Sequence, residues 1–260
     1  MIDVVRILRE TAVARAEYRP TLSSTNDRAA ECASQGVTDL PLVVVTEEQT
    51  AGRGRGSNRW WTGPGGLAFS LLVDAQTVAA DQTRSPLVAL ATAVAVVDAV
   101  APLLPGRQVG IHWPNDVLVR MAPGADQRKL SGILVEVLPD RRHIIGIGLN
   151  TNNTVADAPA ELKTTIATLR DLSGRQCDQT GVLIDLFRRL EQEFSRLRSD
   201  ANAVAARADE LCLQRGRTLT LQREDRKITG CCRGIAADGA LLLETPNGVE
   251  AFYSGTVSRE

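Results

Sequence analysis

The chain has 260 residues and a formal charge of −1, with 43% hydrophobic and 23% charged residues, enough for one large domain with room for a small appendix. That composition is ordinary for a globular protein, and the near-neutral charge argues against a general nucleic-acid binder, whose footprint is a basic face. Five cysteines without a CxxC pair and only two histidines, His112 and His143, argue against a zinc site and for reduced thiols in a cytoplasmic protein.

In chain order, "MIDVVRILRETAVARAEYR" alternates charged and apolar residues and does not look like a signal peptide. "SSTNDRAAECASQG" sets the capping residues Ser24, Thr25 and Asn26 ahead of a helical stretch that Gly36 closes. "PLVVVT" and "GLAFSLLV" read as strands. Ser85 as N-cap and Pro86 at the first helical position open "SPLVALATAVAVVDAV". The apolar run through "APLL" is interrupted by Asp98 and Pro102, so it reads as a buried helix and not a membrane span. "VGIHW", "VLVR", "KLSGILVEVL" and "HIIGIGLN" then give four short strands, separated by the "PND" turn and by "APGADQR", a polar and mobile connection. From about Asp178 to Leu211 the period is helical, with Val182, Leu183, Leu186, Leu190 and Phe194 on one stripe. After Leu213 four more short strands follow, with tight turns at Asp238-Gly239 and Asn247-Gly248, which predicts a small all-β barrel. Strands cluster and helices stand apart, the order of an α+β fold.

The stretch "QTAGRGRGSNRWW", residues 49 to 61, holds three arginines and three glycines before two tryptophans, and no carboxylate occurs between Glu48 and Asp74. Glycines at 52, 54 and 56 let backbone amides approach a ligand, Arg53 and Arg55 neutralise phosphate charge, and Trp60 offers a flat apolar face. It is neither a Walker loop nor a dinucleotide fingerprint, because no Lys-Ser/Thr pair and no helix follow. A solvated basic loop or an RGG-like tail is the bland alternative. "HWPND" could be only a strand and a turn, or could aim Asn115 and Asp116 into a site. In "RKLSGILVEV", Lys129 precedes a small pair, Ser131 and Gly132, and glycine inside a strand often marks close approach of a ligand. "GIGLN" repeats the device with Gly146, Gly148 and Asn150. "SSTN" is by default a helix cap, although four small hydrogen-bonding residues also suit a polar ligand head.

Taken in order, "SSTN", "EEQTAGRGRG..RW", "HWPNDVLV", "RKLSGILVEV" and "GIGLN" resemble the biotin protein ligases, also called biotin–acetyl-CoA-carboxylase ligases or holocarboxylase synthetases. The resemblance covers roughly residues 20 to 172. "GRTLTLQ…GIAADGALLLE" looks like the family's C-terminal SH3-like barrel. The implied fold is a mixed sheet backed by helices over residues 1–212, with the barrel over 213–260.

The resemblance implies an ATP-dependent ligase that makes biotinyl-5′-AMP from biotin and MgATP. It then biotinylates a lysine of a biotin carboxyl carrier domain, as in acetyl-CoA carboxylase. Carried over, Ser24, Thr25, Asn26 and Gln49 meet the ureido head. Arg53, Gly54 and Arg55 hold the carboxyl end and the phosphate, with Gly132 on the biotin side. Lys129 meets the charge developing at the α-phosphate, Trp60 packs on the adenylate, Asn115 and Asn150 lie on the nucleotide side, and Asp116 and Asn150 partner the lysine or the metal. Catalysis falls to Lys129, Arg53 and Asp116, and no residue is assigned to a metal directly.

His112 stands where the family usually has lysine. The short run before "SSTN" implies the monofunctional type, a monomer or homodimer without specific DNA binding or membrane attachment. The alternatives are a lipoate or octanoate ligase of the same fold and a non-catalytic biotin-binding regulator.

Overall fold

A computed structural model describes residues 2–78, 85–122, 126–223 and 226–257. Among the described residues twelve strands are formed: β1 Arg15–Leu22, β2 Leu42–Gln49, β3 Leu67–Val73, β4 Val109–His112, β5 Asp116–Arg120, β6 Gln127–Val137, β7 His143–Leu149, β8 Thr218–Arg223, β9 Arg226–Ile235, β10 Leu241–Thr245, β11 Gly248–Phe252 and β12 Thr256–Val257. The α-helices are α1 Val4–Glu10, α2 Thr25–Ser34, α3 Ala75–Val78, α4 Ser85–Val100, α5 Leu169–Ser173, α6 Gln179–Ser199 and α7 Ala201–Glu210. Part of "APGADQR", residues 123–125, lies outside the described residues.

Seven strands form one sheet in the order β1-β2-β3-β7-β6-β5-β4. Only β1 and β2 run parallel; the other neighbours are antiparallel, so the sheet is mixed. Alternation sorts its two faces. Val43, Val45, Phe69, Leu71, Ile145, Ile147 and Ile133 belong to the large core that also buries α4, α6 and α7. Leu42, Val44, Leu72 and Ile144 point the other way, against Ala29, Cys32 and Ala33 of α2. Helix α2 begins where the Ser24 side chain caps it, and Gly36 follows its end with φ +77°. Because α2 covers only one end of its face, the rest of that face is left open.

Residues 86–103 are long and apolar enough to cross a membrane, but 67% of that window is buried inside the molecule. It is the core helix α4, which begins at Ser85 itself, one residue before the start expected from Ser85 as a cap. The helical stretch from Asp178 breaks at Asp200. Its amide still donates to Arg196 while its side chain accepts from Ala203 N (3.1 Å), so one aspartate ends α6 and caps α7.

The chain leaves the first sheet by running beside its edge: Ile111 N donates to Leu211 O and Leu213 N to Ile111 O. The C-terminal strands then make an antiparallel sheet in the order β11-β10-β9-β8-β12. Gly239 and Gly248 take the positive φ values (87° and 111°) that their turns require. The fifth strand, β12, has only two residues and is too short to carry a pattern. This small sheet is anchored on the larger unit. Trp113 Nε1 donates to Gly239 O (3.0 Å), and Asp209 accepts from Ile235 N (2.7 Å) while pairing with Arg215.

Elements α1, β1, α3, α5 and β12 have no counterpart in the expectations from sequence. Strand β1, "RAEYRPTL", is an edge strand carrying charges and a proline, which blunts association and also hides the strand pattern. Its Glu17 accepts from Arg28 Nε (2.8 Å) and Nη2 (3.0 Å), tying α2 to the edge. The Arg28 guanidinium holds the Glu17 carboxyl at about 2. On acidification the unfolded chain therefore takes up this proton first, and stability is lost as pH falls from 4.5 towards about 2. A Glu17→Gln chain is expected to lose less unfolding free energy than the parent over that window in urea titrations, and equal slopes would remove Glu17 from the acid response.

Candidate active site

On the open part of the α2 face the sheet is paved with small residues. Register puts Ala68, Gly148, Gly132 and Asp116 in one row across β3, β7, β6 and β5. The next row holds Ser70, Gly146 and Leu134. Above this floor is a cavity of about 750 Å³. Ser24, Thr25, Asn26, Gln49, Arg53, Gly54, Arg55, Trp60, Asn115, Asp116, Lys129, Gly132 and Asn150 all line it. The structure thus brings together the positions singled out from sequence, although convergence alone assigns no role.

One end of the cavity is a hydrogen-bonding cluster at the start of α2. Gln49 Oε1 accepts from Thr25 N (2.9 Å) and Thr25 Oγ1 (3.2 Å). The buried Ser70 Oγ lies 2.7 Å from Thr25 Oγ1 and 2.6 Å from Asn26 Oδ1. A side chain at Gly146 would overlap Asn26, and one at Gly148 would overlap the Trp60 indole. These glycines are therefore fixed by what lies on them.

The arginine-glycine segment is a curled hairpin. Gly54 N donates to Asn58 O (2.8 Å), Trp60 N to Gly52 O (3.0 Å), and Gly56 turns with φ +61°. The Gly54 amide, one of the three glycine amides that the sequence offers to a ligand, is used here to close the hairpin. The carboxylates that the segment lacks come from elsewhere in the fold. Arg53 donates to both oxygens of Glu136 (2.9 and 2.8 Å) and lies 2.8 Å from Asp27 Oδ1. Arg55 meets neutral oxygens: Asn115 Oδ1 (3.3 Å) and Gly255 O (3.4 Å). The two arginines are accordingly opposite in character. The bond to Glu136 raises the Arg53 pKa above its ordinary value, whereas burial pushes that of Arg55 down against the pull of Asp116.

Lys129 reaches the floor because β6 is irregular. Val117 pairs with Ser131 but Leu118 pairs with Lys129, so Leu130 is an extra residue. Lys129 Nζ then lies 2.6 Å from Asp116 Oδ1 and 5.4 Å from the Trp60 ring centroid. The backbone is held by Lys129 N to Thr165 O (2.8 Å) and Ala167 N to Lys129 O (2.9 Å). Asn150 is buried, and its amide points at Lys129 O (3.4 Å). Asn115 donates to Ile133 O (2.7 Å). His112 is buried with its ring Nε2 3.4 Å from Gln214 Nε2.

The sequence reading missed Ser70, Asp27, Glu136 and Gly255. Ser70 is the one polar residue in "GLAFSLLV", and Glu136 shares the parity of Gly132 in β6; both signals were available. The contact with Gly255 is tertiary and leaves no local trace.

A seven-stranded mixed sheet with small residues under a cavity, a cationic hairpin over it and a small antiparallel sheet beside it is the arrangement that the comparisons with known proteins place. A model of the biotin/lipoate A/B protein ligase family matches residues 18–152, and one of the biotin protein ligase C-terminal domain matches residues 216–259. The chain is 31% identical over 246 residues to the bifunctional ligase/repressor BirA of Bacillus spizizenii, covering 92% of this chain and 72% of that protein. It is 31% identical over 243 residues to the biotin--[acetyl-CoA-carboxylase] ligase of Mycobacterium tuberculosis, covering 90% and 85%. The structure of the Aquifex aeolicus biotin protein ligase in complex with biotin and ATP superposes with a TM-score of 0.82 at 25% identity, covering 95% and 99% of the two chains. The chain belongs to the biotin/lipoate A/B protein ligase family, and its C-terminal domain and these relatives set it among the biotin protein ligases.

The glycine floor generates a direct test. Gly148→Ala places a methyl group against the indole, so the Trp60 Nε1–H resonance of ¹⁵N-labelled protein is expected to shift while that of Trp113 stays. An unmoved Trp60 signal would show that the ring does not rest on Gly148.

Proposed function

We propose that the chain activates biotin with ATP to biotinyl-5′-adenylate, releasing pyrophosphate, and passes the biotinyl group to a lysine on the carrier domain of a biotin-dependent carboxylase. The observation that carries this reading is the polarity of the cavity: hydrogen-bonding residues at one end, a floor of mostly small residues, and Arg55 and Lys129 at the other. A cyclic urea on an apolar bicycle, ending in a carboxylate, has the same polarity. Ser24, Thr25, Asn26 and Gln49 take the urea, the bicycle lies in the cavity between them and Trp60, and the carboxylate points towards the cations.

In the first step a carboxylate oxygen attacks the α-phosphorus, the bond to the bridging oxygen breaks, and pyrophosphate leaves with that electron pair. The nucleophile is already ionised, so the need is for cations and not for a general base. Lys129 serves at the α-phosphate, oriented by Asp116. Arg55 serves at the carboxyl and phosphate oxygens. Arg53 secures the hairpin through Glu136 and Asp27 and turns its remaining N–H groups to the carboxyl end. Trp60 gives the adenine a flat face, with Asn115 and Asn150 on that side.

In the second step the acceptor amine attacks the carbonyl carbon, AMP leaves, and the amine proton passes to solvent. Mg²⁺ bound with ATP would neutralise charge at the phosphates, and Asp116, in the cavity wall beside Lys129, is the carboxylate that would help to hold it. The hairpin, fixed to Glu136 on one side and to Gly255 on the other, keeps water from the mixed anhydride.

The test of the whole reading is the chain with MgATP and an apo carrier domain, given biotin in one tube and lipoate in another. Mass spectrometry is expected to find biotinyl-lysine only; lipoyl transfer, or binding of biotin with no transfer, overturns it. Lys129→Ala should slow adenylate formation by about a hundredfold or more while changing biotin affinity far less. Near-normal pyrophosphate release at saturating substrates would remove Lys129 from the α-phosphate.

For Arg55→Gly, adenylate still forms but escapes sooner, read as faster release of biotinyl-adenylate and labelling of bystander lysines. Abolished synthesis, or retention equal to the parent's, contradicts the lid role.

A further inference from the structure

Glu136 stands just outside the cavity wall, yet it holds two residues of that wall. Its carboxylate accepts both arms of the Arg53 fork (2.9 and 2.8 Å) and the side-chain amide of Asn26 (2.6 Å). The second contact decides something that the shape of Asn26 leaves open. A carboxamide has two ends of equal size and opposite hydrogen-bonding sense, so packing alone does not choose its orientation. An ionised carboxylate only accepts, and therefore requires the NH₂ end of Asn26. Ser70 Oγ, 2.6 Å from Oδ1, faces the other end. Asn26 sits on Gly146, which leaves it no room to retreat into the sheet. The amide therefore meets the cavity with one fixed polarity. The same carboxylate pins Arg53, and through it the hairpin, with Asp27 of α2 as the second anchor.

We propose that Glu136 is a positioning residue for the biotin subsite, setting the polarity of Asn26 and strapping the arginine hairpin through Arg53 without touching the ligand. This rests on the ligase reading given above and deepens it. Reversing the Asn26 amide would present a donor where a ligand N–H needs an acceptor, and loosening Arg53 would free the wall beside it. The groups on the phosphate side have other supports: Arg55 on Asn115 and Gly255, Asn115 on Ile133, and Lys129 on Asp116. The loss of Glu136 accordingly falls first on the biotin side, where Asn26 and Arg53 have it as a direct partner.

The experiment is steady-state pyrophosphate release by the parent, Glu136→Gln and Glu136→Asp, with biotin and ATP varied in turn and Tm measured alongside. Glu136→Gln keeps the size but turns one acceptor end into a donor, which then faces the donors of Arg53 or Asn26. The KM for biotin is expected to rise by about tenfold, the scale of a lost charge-assisted bond, while kcat and the KM for ATP stay within about twofold. Glu136→Asp keeps the charge and is expected to recover part of the biotin KM.

An unchanged biotin KM in Glu136→Gln overturns the proposal. So does a parallel loss in kcat, both KM values and Tm, the pattern of a scaffold residue. If the parent itself forms no adenylate from biotin, the ligase reading falls and takes this role with it. If the parent forms adenylate and Glu136→Gln behaves like it, the role of Glu136 falls alone.

Discussion

In a regular strand, residues two apart share a face, so Lys129 would follow Ser131 and Ile133 into the apolar core. Burying an ammonium there without a partner costs far more than one strand contributes, and the fold avoids it with one extra residue. Leu130 is inserted opposite the step from Val117 to Leu118, and with it the parity of everything before it reverses. Leu130 fills the core, Ser131 turns its hydroxyl to Gly148 O (2.7 Å), and Lys129 emerges over Gly132 beside Asp116. Segment 165–167 pairs with the irregular backbone and holds it there. The rest of the candidate site depends on this bulge, because it sets the cation on the same face as the glycine floor and α2.

The cations around the cavity are graded. Arg53 faces two carboxylates, Lys129 faces one, and Arg55 faces carbonyl and amide oxygens. A guanidinium tied by two carboxylates is chiefly a fastener, with only its remaining N–H groups left for a bound anion. A half-buried guanidinium whose hydrogen bonds run to neutral oxygens gains most from an arriving anion, because desolvation is the dominant influence on it and a ligand charge relieves that. Two arginines separated by one glycine thus do different work, and the division follows from the partners that the fold brings to each.

How much of this was legible in the sequence depends on how local the cause was. The buried strands, the apolar helix α4 and the turn glycines were readable because each is written in a few consecutive residues. The floor was legible as glycines inside strands, though not that Asn26 and Trp60 are what those glycines accommodate. Strand β1 was hidden because an edge strand wears charges and a proline where the pattern expects apolar residues. The bulge was not legible: "KLSG" reads equally well as a regular strand, and only the pairing partner reveals the extra residue. The partners of Arg53 were opaque for another reason. Glu136 lies 83 residues further along, and nothing near the hairpin announces a carboxylate.

The C-terminal sheet completes the enclosure from outside the family's matched catalytic segment. Its position is fixed by contacts with the larger unit, where Trp113 reaches Gly239 and Asp209 reaches Ile235, and where residues 211–213 run along β4. Those anchors are buried or doubly bonded, so the strand ends that follow inherit a set position without help from a ligand. Gly255 and Thr256 therefore arrive at the cavity wall, and the carbonyl of Gly255 meets Arg55. Gly255 has φ +144° and a Cβ there would meet Leu221, so a side chain would be both strained and obstructed. The hairpin is thereby held at two points that belong to different sheets, Glu136 in β6 and Gly255 before β12. Closure over the cavity is consequently a property of both units together: either sheet alone would leave one arginine of the hairpin without its support.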